Sequence, residues 1–220
     1  MEIKEAIRAR KSIRGYKSES VPRAILTEIL ETATRAPSAM NTQPWEIAVI
    51  TGKTLDDLRQ ASVKNLTSGV PPESYALRKP FDGVYRQRQV DLAVQLFGLT
   101  GIAREDKDKR AQWMERGFRF FDAPAAIMIS IDTSLGVDPS LLDIGALCQS
   151  ICLTALQYGL GTCIENQMYT EATREILGIP ESKRIVIAIA IGYPDWDFPA
   201  NKVESNREPL QNVTTWYGFD

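Results

Sequence analysis

Two short apolar runs constrain the fold of this chain most strongly. They are "AAIMISI" at residues 125–131 and "RIVIAIAIG" at residues 184–192, and neither run alternates apolar with polar residues. A strand that is half exposed would show a polar side chain at every second position. The two runs therefore predict fully buried strands at the centre of a sheet.

Helical and strand patterns fill most of the remaining sequence. Two shorter strands are predicted at "WEIAVI" and "GTCIEN". Helices are predicted at residues 2–10, 22–33, 54–62, 84–100, 106–119 and 170–177, with a Gly- and Pro-containing loop at residues 64–82. A further long helix begins at Asp138-Pro139 and is closed by Gly159. Because this helix is apolar on nearly every side, we expect it in the middle of the protein or in a subunit interface.

Composition and charge limit the class of protein. Apolar residues make up 44% of the 220 residues, charged residues 25%, and the net charge is −2. This balance is ordinary for a globular protein of one large domain and favours neither a nucleic-acid nor a membrane partner. The N-terminus is charged from its second residue, unlike a signal peptide. We expect a single domain over residues 1–220, located in the cytoplasm.

The chain contains no histidine and three cysteines, Cys148, Cys152 and Cys163. An odd count without a C-x-x-C motif argues against a disulfide framework, and we expect Cys148 and Cys152 to share a buried helix face. The missing histidine excludes Ser-His-Asp and Cys-His nucleophiles and argues against a metal site. An enzyme of this composition would move protons through other side chains or water, or would use the chemistry of a bound cofactor.

Basic and hydroxyl side chains cluster in "RARKSIRGY", residues 8–16. In an extended stretch Arg10, Ser12 and Arg14 point the same way, and guanidinium forks with a hydroxyl donor suit a phosphate group. The alternative is a solvated basic helix end that offsets the helix dipole.

Neutral polar side chains crowd the stretch "PSAMNTQPW", residues 37–45. Asn41 and Gln43 each offer both a donor and an acceptor, which suits the edge of a heteroaromatic ring. A phosphate cradle combined with such a loop points to a nucleotide-like or flavin-like cofactor. No G-x-G-x-x-G follows a predicted strand and no Walker A motif is present. The sequence therefore supports neither a Rossmann-type dinucleotide site nor a P-loop nucleotide site.

Several motifs together resemble the FMN-dependent nitroreductase family. They are "ARKSIRGY", "RAPSAMNTQPWEIAVITG", "FFDAPAAIMI", "DIGALCQSICLTALQYGLGTC" and "IAIAIGYPD", and they occur in the family's order over nearly the whole chain. The middle of the chain looks most like the branch that reduces nitroaromatic compounds such as nitrobenzoates. The R-x-S-x-R motif followed by P-S-x-x-N-x-Q-P-W is the most specific part of this resemblance.

The resemblance implies an α+β fold of the nitroreductase type, a three-layer α/β/α sandwich with a mixed central sheet. It also implies an intertwined homodimer with two FMN sites, each lined by both subunits. The C-terminal arm, about residues 200–220, would cross to the partner subunit and add an edge strand to its sheet. The aromatic residues that end the polar tail, Trp216, Tyr217 and Phe219, fit such an arm.

The resemblance also implies cofactor-binding residues. Arg10 and Ser12 would bind the phosphate and ribityl end of FMN, with Lys11 in the same segment, and Arg14 would lie at the pyrimidine edge. There its charge would stabilise the anionic reduced flavin. Asn41 and Gln43 would bond the ring or the ribityl chain.

Further residues complete the implied site. Pro37 and Ser38 would approach from the other subunit, and Arg207 would close on the phosphate. The backbone at Glu165 and Asn166 would face flavin N5, while Asn65 is an additional candidate at the end of a helix. Many family members have Gly where this chain has Asn166, so a side chain would stand near the substrate face.

The reaction implied is a ping-pong reduction without a covalent protein catalyst. NADH or NADPH would deliver hydride to FMN, and a nitroaromatic compound or a quinone would then take two electrons. Tyr85, Arg86, Trp113 and Phe118 are candidates for the pocket roof, and Arg86 or Arg88 could pair with a substrate carboxylate. The alternatives are an enone reductase, a reductive dehalogenase or a flavin-modifying enzyme on the same scaffold, or a non-catalytic FMN-binding protein.

Overall fold

The computed structural model describes residues 1–73 and 79–219, which form helices on both sides of one sheet. The helices are α1 (Ile3–Ala9), α2 (Arg23–Ala33), α3 (Gly52–Thr67), α4 (Gly83–Thr100), α5 (Lys107–Phe118), α6 (Val137–Gln157) and α7 (Thr170–Leu177). The strands are β1 (Trp45–Thr51), β2 (Ala125–Asp132), β3 (Gly161–Asn166) and β4 (Lys183–Gly192). All four predicted strands and the long predicted helix are confirmed.

The four strands pair in the order β1-β2-β4-β3, and every pair is antiparallel. In the part of the chain that the structure describes, parallel pairing is confined to one bridge between Ser12 and Thr162. The sequence led us to expect a mixed sheet. That expectation is corrected for the four strands of the protomer, which are all antiparallel, and only the isolated Ser12–Thr162 bridge is parallel among the described residues. The helical connections between consecutive strands are long enough for either direction, so the apolar runs of the sequence could not distinguish the two.

The two central strands bury both faces, as their apolar sequences predict. On one face, Ile127 and Ile129 of β2 pack with α2 and α6. On the other face, Met128 packs with residues of α3 and with Phe120 and Phe121. A fully buried side chain of this size contributes roughly 1.5–3 kcal/mol. The result is the expected three-layer α/β/α arrangement.

Helix α6 buries one face and leaves another open in the protomer. Ile144, Leu147 and Ile151 lie in the core, while Leu142 is 81% exposed and Leu141 is also exposed. Among the described helices α6 alone has the length and apolar composition of a membrane span, and 44% of its most apolar window is buried in the protein. Core helices of globular proteins meet the same criteria, and packing against the sheet explains the apolar residues on the buried face of α6.

Helix α3 extends beyond its predicted end at residue 62. It continues through Thr67, so the predicted loop at residues 64–82 is wrong for residues 64–67. The Thr67 hydroxyl donates to the carbonyl of Val63 at 2.9 Å, and the first residue after the helix with a left-handed conformation is Gly69. The helix therefore ends where a glycine allows the turn. Residues 74–78 of the predicted loop lie outside the described residues.

The C-terminal segment contains no strand over residues 203–219. It includes a short 3-10 helix at Leu210–Asn212, and Trp216 contacts Phe219 with ring centroids 5.2 Å apart. Both aromatic side chains, with Tyr217, are exposed in the protomer. The edge strand expected in a partner's sheet remains a prediction.

Candidate functional site

The segment after α1 runs beside β3. Arg10 ends the helix in an extended conformation, and the Ile13 N–H donates to the Thr162 carbonyl at 2.9 Å. Ile13 is buried, whereas Arg10, Ser12 and Arg14 are half-exposed. Since successive residues of an extended stretch point to opposite sides and alternate residues to the same side, the two arginines and the serine lie opposite to Ile13. The R-x-S-x-R motif is thereby placed beside the first residues of β3.

The backbone around Arg14 is fixed by the buried side chain of Asn201. Asn201 Oδ1 accepts from the Arg14 N–H at 2.7 Å, and Nδ2 donates to the carbonyls of Gly15 and Asp195, both at 2.7 Å. A Cβ atom at Gly15 would lie 2.3 Å from the Phe198 ring, so only glycine fits there. Every polar atom of the buried amide is thus used to hold this segment.

Arg116 of α5 holds the same segment from another side. Its guanidinium donates to the Arg14 carbonyl at 3.3 Å, pairs with Asp122 at 3.0 Å and lies 4.8 Å above the Phe198 ring centre. Burial lowers the pKa of Arg116, although the charge of Asp122 opposes that effect. The Arg14 backbone is therefore bonded at both its N–H and its carbonyl.

A cavity of about 290 Å³ opens where β3 ends. Three of the predicted cofactor residues line it, namely Arg14, Glu165 and Asn166. Its other walls are mostly aromatic or apolar. They are formed by Ser62, Gly117, Phe118, Phe120, Phe121, Cys163, Ile164, Gln167, Met168 and Tyr169. The cavity combines a cationic side, a carboxyl group and flat apolar walls.

Glu165 contributes a carboxyl group that favours its neutral form. Its Oε1 atom is buried and has no hydrogen-bond partner among the described residues, although the residue as a whole is partly exposed. Burial raises the pKa of the Glu165 carboxyl well above its ordinary value, and the charge of Arg14 only partly opposes this. An uncharged carboxyl can donate as well as accept a hydrogen bond, so it suits a polar ring edge.

The aromatic wall is built on an unusual backbone turn. Phe120, Phe121 and Asp122 all have positive φ angles, 55°, 50° and 59°. A left-handed turn of non-glycine residues costs roughly 1–2 kcal/mol per residue, so the surroundings must hold it. Arg119 pairs with Asp122 at 2.8 Å, and the Arg59 side chain donates to the carbonyls of Arg119 and Ala123. The turn directs the Phe121 ring to within 6.0 Å of the Arg14 guanidinium carbon.

The amide-rich loop is also strained but lies elsewhere in the protomer. Met40, Asn41 and Gln43 have φ angles of 51°, 57° and 47°, and none of the described residues 37–43 lines the cavity. The side chains of Asn41 and Gln43 are exposed, with Ser38 half-exposed and Pro37 exposed. The loop thus presents its predicted binding groups at the protomer surface.

The remaining predicted residues lie outside the cavity. Asn65 is half-buried on α3, and Ser62, one helical turn earlier on the same helix, reaches the cavity instead. Arg207 is exposed and donates to Ser205 and Asn206 within its own segment. Lys11 pairs with Glu204 and donates to the Asn201 carbonyl at 3.2 Å. The structure therefore groups Lys11 with the start of the C-terminal arm.

Of the predicted roof residues, Phe118 lines the cavity. Trp113 is instead partly buried against the core, with its ring centre 6.0 Å from that of Phe121. Tyr85 and Arg86 are exposed on α4, and Arg88 pairs with Glu208 of the C-terminal segment at 2.7 Å. The roof predicted over residues 85–88 is thus not formed within the described protomer.

All three cysteines are free and Cys148 and Cys152 are buried, as the sequence predicts, and Cys163 is buried as well. Burial raises the pKa of Cys148 to about 12. Burial raises the pKa of Cys163 to about 12 as well. At neutral pH these thiols are protonated, which fits a packing role.

Sequence reasoning missed the residues that support the site from a distance. Asn201 and Asp122 lie far along the chain from Arg14, and no local pattern connects them. Ser62 could have been predicted from the sequence, because it lies three residues before the candidate Asn65 on the same helix face. The left-handed turn at residues 120–122 contains no glycine, so its sequence does not indicate positive φ angles.

Solved nitroreductases share this fold over its full length. FMN- and NADPH-dependent nitroreductase NfnB from Sphigopyxis sp. strain HMH superposes with a TM-score of 0.94, at 29% identity and with both chains covered completely. FMN-dependent NfnB from Mycobacterium smegmatis, solved with NADPH, gives a TM-score of 0.90 at 26% identity over 97% of each chain. These similarities establish the architecture around the candidate site.

The sequence comparisons establish the family. Residues 7–193 match the model of the nitroreductase family, and the chain belongs to that family. Nitrobenzene nitroreductase from Ectopseudomonas oleovorans is 32% identical, over 97% of this chain and 96% of its own. 4-Nitrobenzoate reductase from Nocardioides sp. (strain LMS-CY) is also 32% identical, over 97% of this chain and 89% of its own.

Proposed function

We propose that the protein is an FMN-dependent NAD(P)H oxidoreductase that reduces nitroaromatic compounds, including nitrobenzoates, or quinones. The observation that carries this proposal is the meeting of Arg14, Glu165 and Asn166 in one aromatic-walled cavity. The relatives named nitrobenzene nitroreductase and 4-nitrobenzoate reductase support the choice of substrate class.

The residues present fit FMN. A buried Glu165 oxygen without a partner and the Arg14 guanidinium match a ring edge that carries both acceptors and donors. The cavity of about 290 Å³ is at the lower end of the roughly 300–1,000 Å³ typical of ligand pockets. We infer that it receives one edge of the flavin ring, while Arg10 and Ser12 bind the phosphate and ribityl end.

Each protein group has a distinct task in this proposal. FMN, when bound, supplies the redox chemistry by accepting hydride from NADH or NADPH and passing two electrons to the substrate. Arg14 places a fixed positive charge at the ring edge, and its bonded backbone holds that charge in place. Burial raises the pKa of the Glu165 carboxyl and so favours its uncharged form, which would avoid a negative charge beside the electron-rich cofactor.

Protons come from solvent, because the chain has no histidine. Burial raises the pKa of Cys163 to about 12, so this thiol stays protonated at neutral pH and is a poor proton donor. No side chain forms a covalent bond to the substrate. The Asn166 side chain, exposed at the end of β3, lies where it would contact a substrate stacked on the ring.

A homodimer completes the proposed site. The exposed Leu141 and Leu142 of α6 and the exposed aromatic residues of the C-terminal segment are apolar surfaces suited to a second copy. Loop residues Pro37, Ser38, Asn41 and Gln43, together with Arg207 and Asn65, then lie at the FMN site formed by two subunits. We propose one cytoplasmic domain over residues 1–220, with residues 200–220 as the arm.

An anaerobic spectral titration tests the function. The purified protein should be yellow and should lose its visible flavin band when NADPH or NADH is added. Added 4-nitrobenzoate should then restore the band within one turnover. Protein that takes up no FMN, or flavin that neither pyridine nucleotide bleaches, would contradict the proposal.

A further inference from the structure

The loop of residues 37–44 is attached to α6 through one carboxylate. Asp143 is buried at 7% exposure, and both of its oxygens lie 3.2 Å from the Ala39 N–H. Among the described residues, this N–H is the hydrogen-bond donor that the structure gives to Asp143. A buried carboxylate with so few donors is costly, so its position calls for an explanation.

The loop itself is joined internally. The N–H groups of Asn41 and Thr42 donate to the carbonyls of Ser38 and Ala39 at 3.1 and 3.0 Å, and the Gln43 N–H donates to Ser38 Oγ at 3.0 Å. Together with the Ala39 N–H, these are four loop N–H groups, and among them only the Ala39 N–H donates to a residue outside the loop. The loop is thus a small rigid unit, and Asp143 fixes that unit to the helix.

This attachment bears on ligand binding because the loop carries the polar groups. Met40, Asn41 and Gln43 hold left-handed conformations, which set the directions of the Asn41 and Gln43 side chains. A hydrogen-bonding site loses affinity when its groups shift even slightly from their partners. The orientation of the whole unit relative to α6 therefore decides where its amides point.

We propose that Asp143 is a positioning residue, whose bond to the Ala39 N–H holds the loop of residues 37–44 in the orientation that binds FMN. The inference rests on the proposed function, since it concerns the same cofactor. Asp143 acts through the loop backbone and touches neither the cofactor nor the substrate.

FMN titration of the apoprotein, combined with amide hydrogen exchange, tests this inference. Asp143→Leu should weaken FMN binding by about tenfold or more and should accelerate exchange of the Ala39 amide in the apoprotein. Asp143→Asn keeps an acceptor oxygen and should bind FMN within about threefold of the parent. Ser140→Ala is the matched control, because the buried Ser140 hydroxyl donates to the Gly136 carbonyl of its own helix end and to nothing in the loop.

Removing the donor tests the same bond from the loop side. Ala39→Pro lacks the N–H, and proline suits the first position of a short helix after the extended Ser38. This variant should also bind FMN about tenfold more weakly, so the inference can be tested even where Asp143→Leu does not fold. The assignment would be overturned if Ala39→Pro, or a folded Asp143→Leu, bound FMN with the affinity of the parent protein. It would also be overturned if Asp143→Asn bound FMN as weakly as Asp143→Leu. A parent protein that binds no FMN would instead overturn the proposed function.

Discussion

The side chain of Asn201 accepts a hydrogen bond from the backbone N–H of Arg14 at 2.7 Å, across 187 positions of the chain. The same amide donates to the carbonyls of Gly15 and Asp195. A single buried residue thus joins the start of the C-terminal segment to the R-x-S-x-R motif. The position of the Arg14 guanidinium at the cavity depends on this connection.

Asn201→Leu should destabilise the apoprotein by about 1–3 kcal/mol, because it leaves the buried Arg14 N–H without an acceptor, whereas the carbonyls of Gly15 and Asp195 each keep a backbone donor. Urea unfolding at constant pH measures the change. Asn212→Ala, on an exposed amide of the same segment, should change stability by less than about 0.5 kcal/mol. Equal stability of the parent and Asn201→Leu would show that the three bonds contribute nothing.

Arg10→Ala should weaken FMN binding by about 1.5–3 kcal/mol, the range of a hydrogen bond to a charged group. Fluorescence titration of the apoprotein gives the dissociation constant. Arg8→Ala is the control, since Arg8 lies exposed on α1 only two residues earlier. The phosphate role of Arg10 would be rejected by equal FMN affinity in the two variants.

Glu165→Gln should reduce the decrease in the free energy of unfolding that accompanies a rise in pH. Burial raises the pKa of the folded carboxyl, so the folded state keeps a proton that the unfolded state releases above its ordinary pKa. The unfolding free energy therefore decreases with pH from the ordinary carboxyl range up to the raised pKa, and a neutral amide removes this dependence. Urea unfolding of the parent and the variant between about pH 5 and 8 measures the slopes. Parallel slopes would mean that Glu165 is ionised in the folded protein.

Cys148→Ala and Cys163→Ala should keep turnover within about threefold of the parent, because neither thiol ionises at neutral pH with a pKa of about 12. The folded parent should also react slowly with a thiol reagent until urea is added. Steady-state kinetics with a nitroaromatic substrate checks the first outcome. A variant that binds FMN normally but has no activity would assign chemistry to the thiol.

The sequence predicts the fold well where burial repeats along the chain. The apolar runs at residues 125–131 and 184–192 had to lie in the sheet interior, and they form β2 and β4. Strand direction was harder, since an apolar run carries no information on whether its neighbours are parallel or antiparallel. The end of α3 was misplaced, because residues 64–67 are compatible with both helix and loop and the hydrogen bonds of the last turn decide between them.

The candidate site also contains residues that the sequence predicts and residues that it does not. Arg14, Glu165 and Asn166 were named because family motifs contain them, and they meet at one cavity. Asn201 holds the backbone of Arg14, and Asp143 bonds the backbone of Ala39 in the amide-rich loop, so both act on segments that are distant in the chain. A side chain that bonds a backbone N–H leaves no recognisable motif in one sequence, because any suitably placed acceptor would serve.

A heterodimer measurement tests the shared FMN site most directly. One protomer carries Arg10→Ala and the other carries Ser38→Trp, which disrupts the loop, and different affinity tags allow the mixed dimer to be isolated. If the two segments meet between subunits, each variant homodimer binds FMN weakly, while the heterodimer contains one intact site and binds about one FMN per dimer with parental affinity. A heterodimer that binds FMN no more tightly than either homodimer would contradict a site built by both subunits.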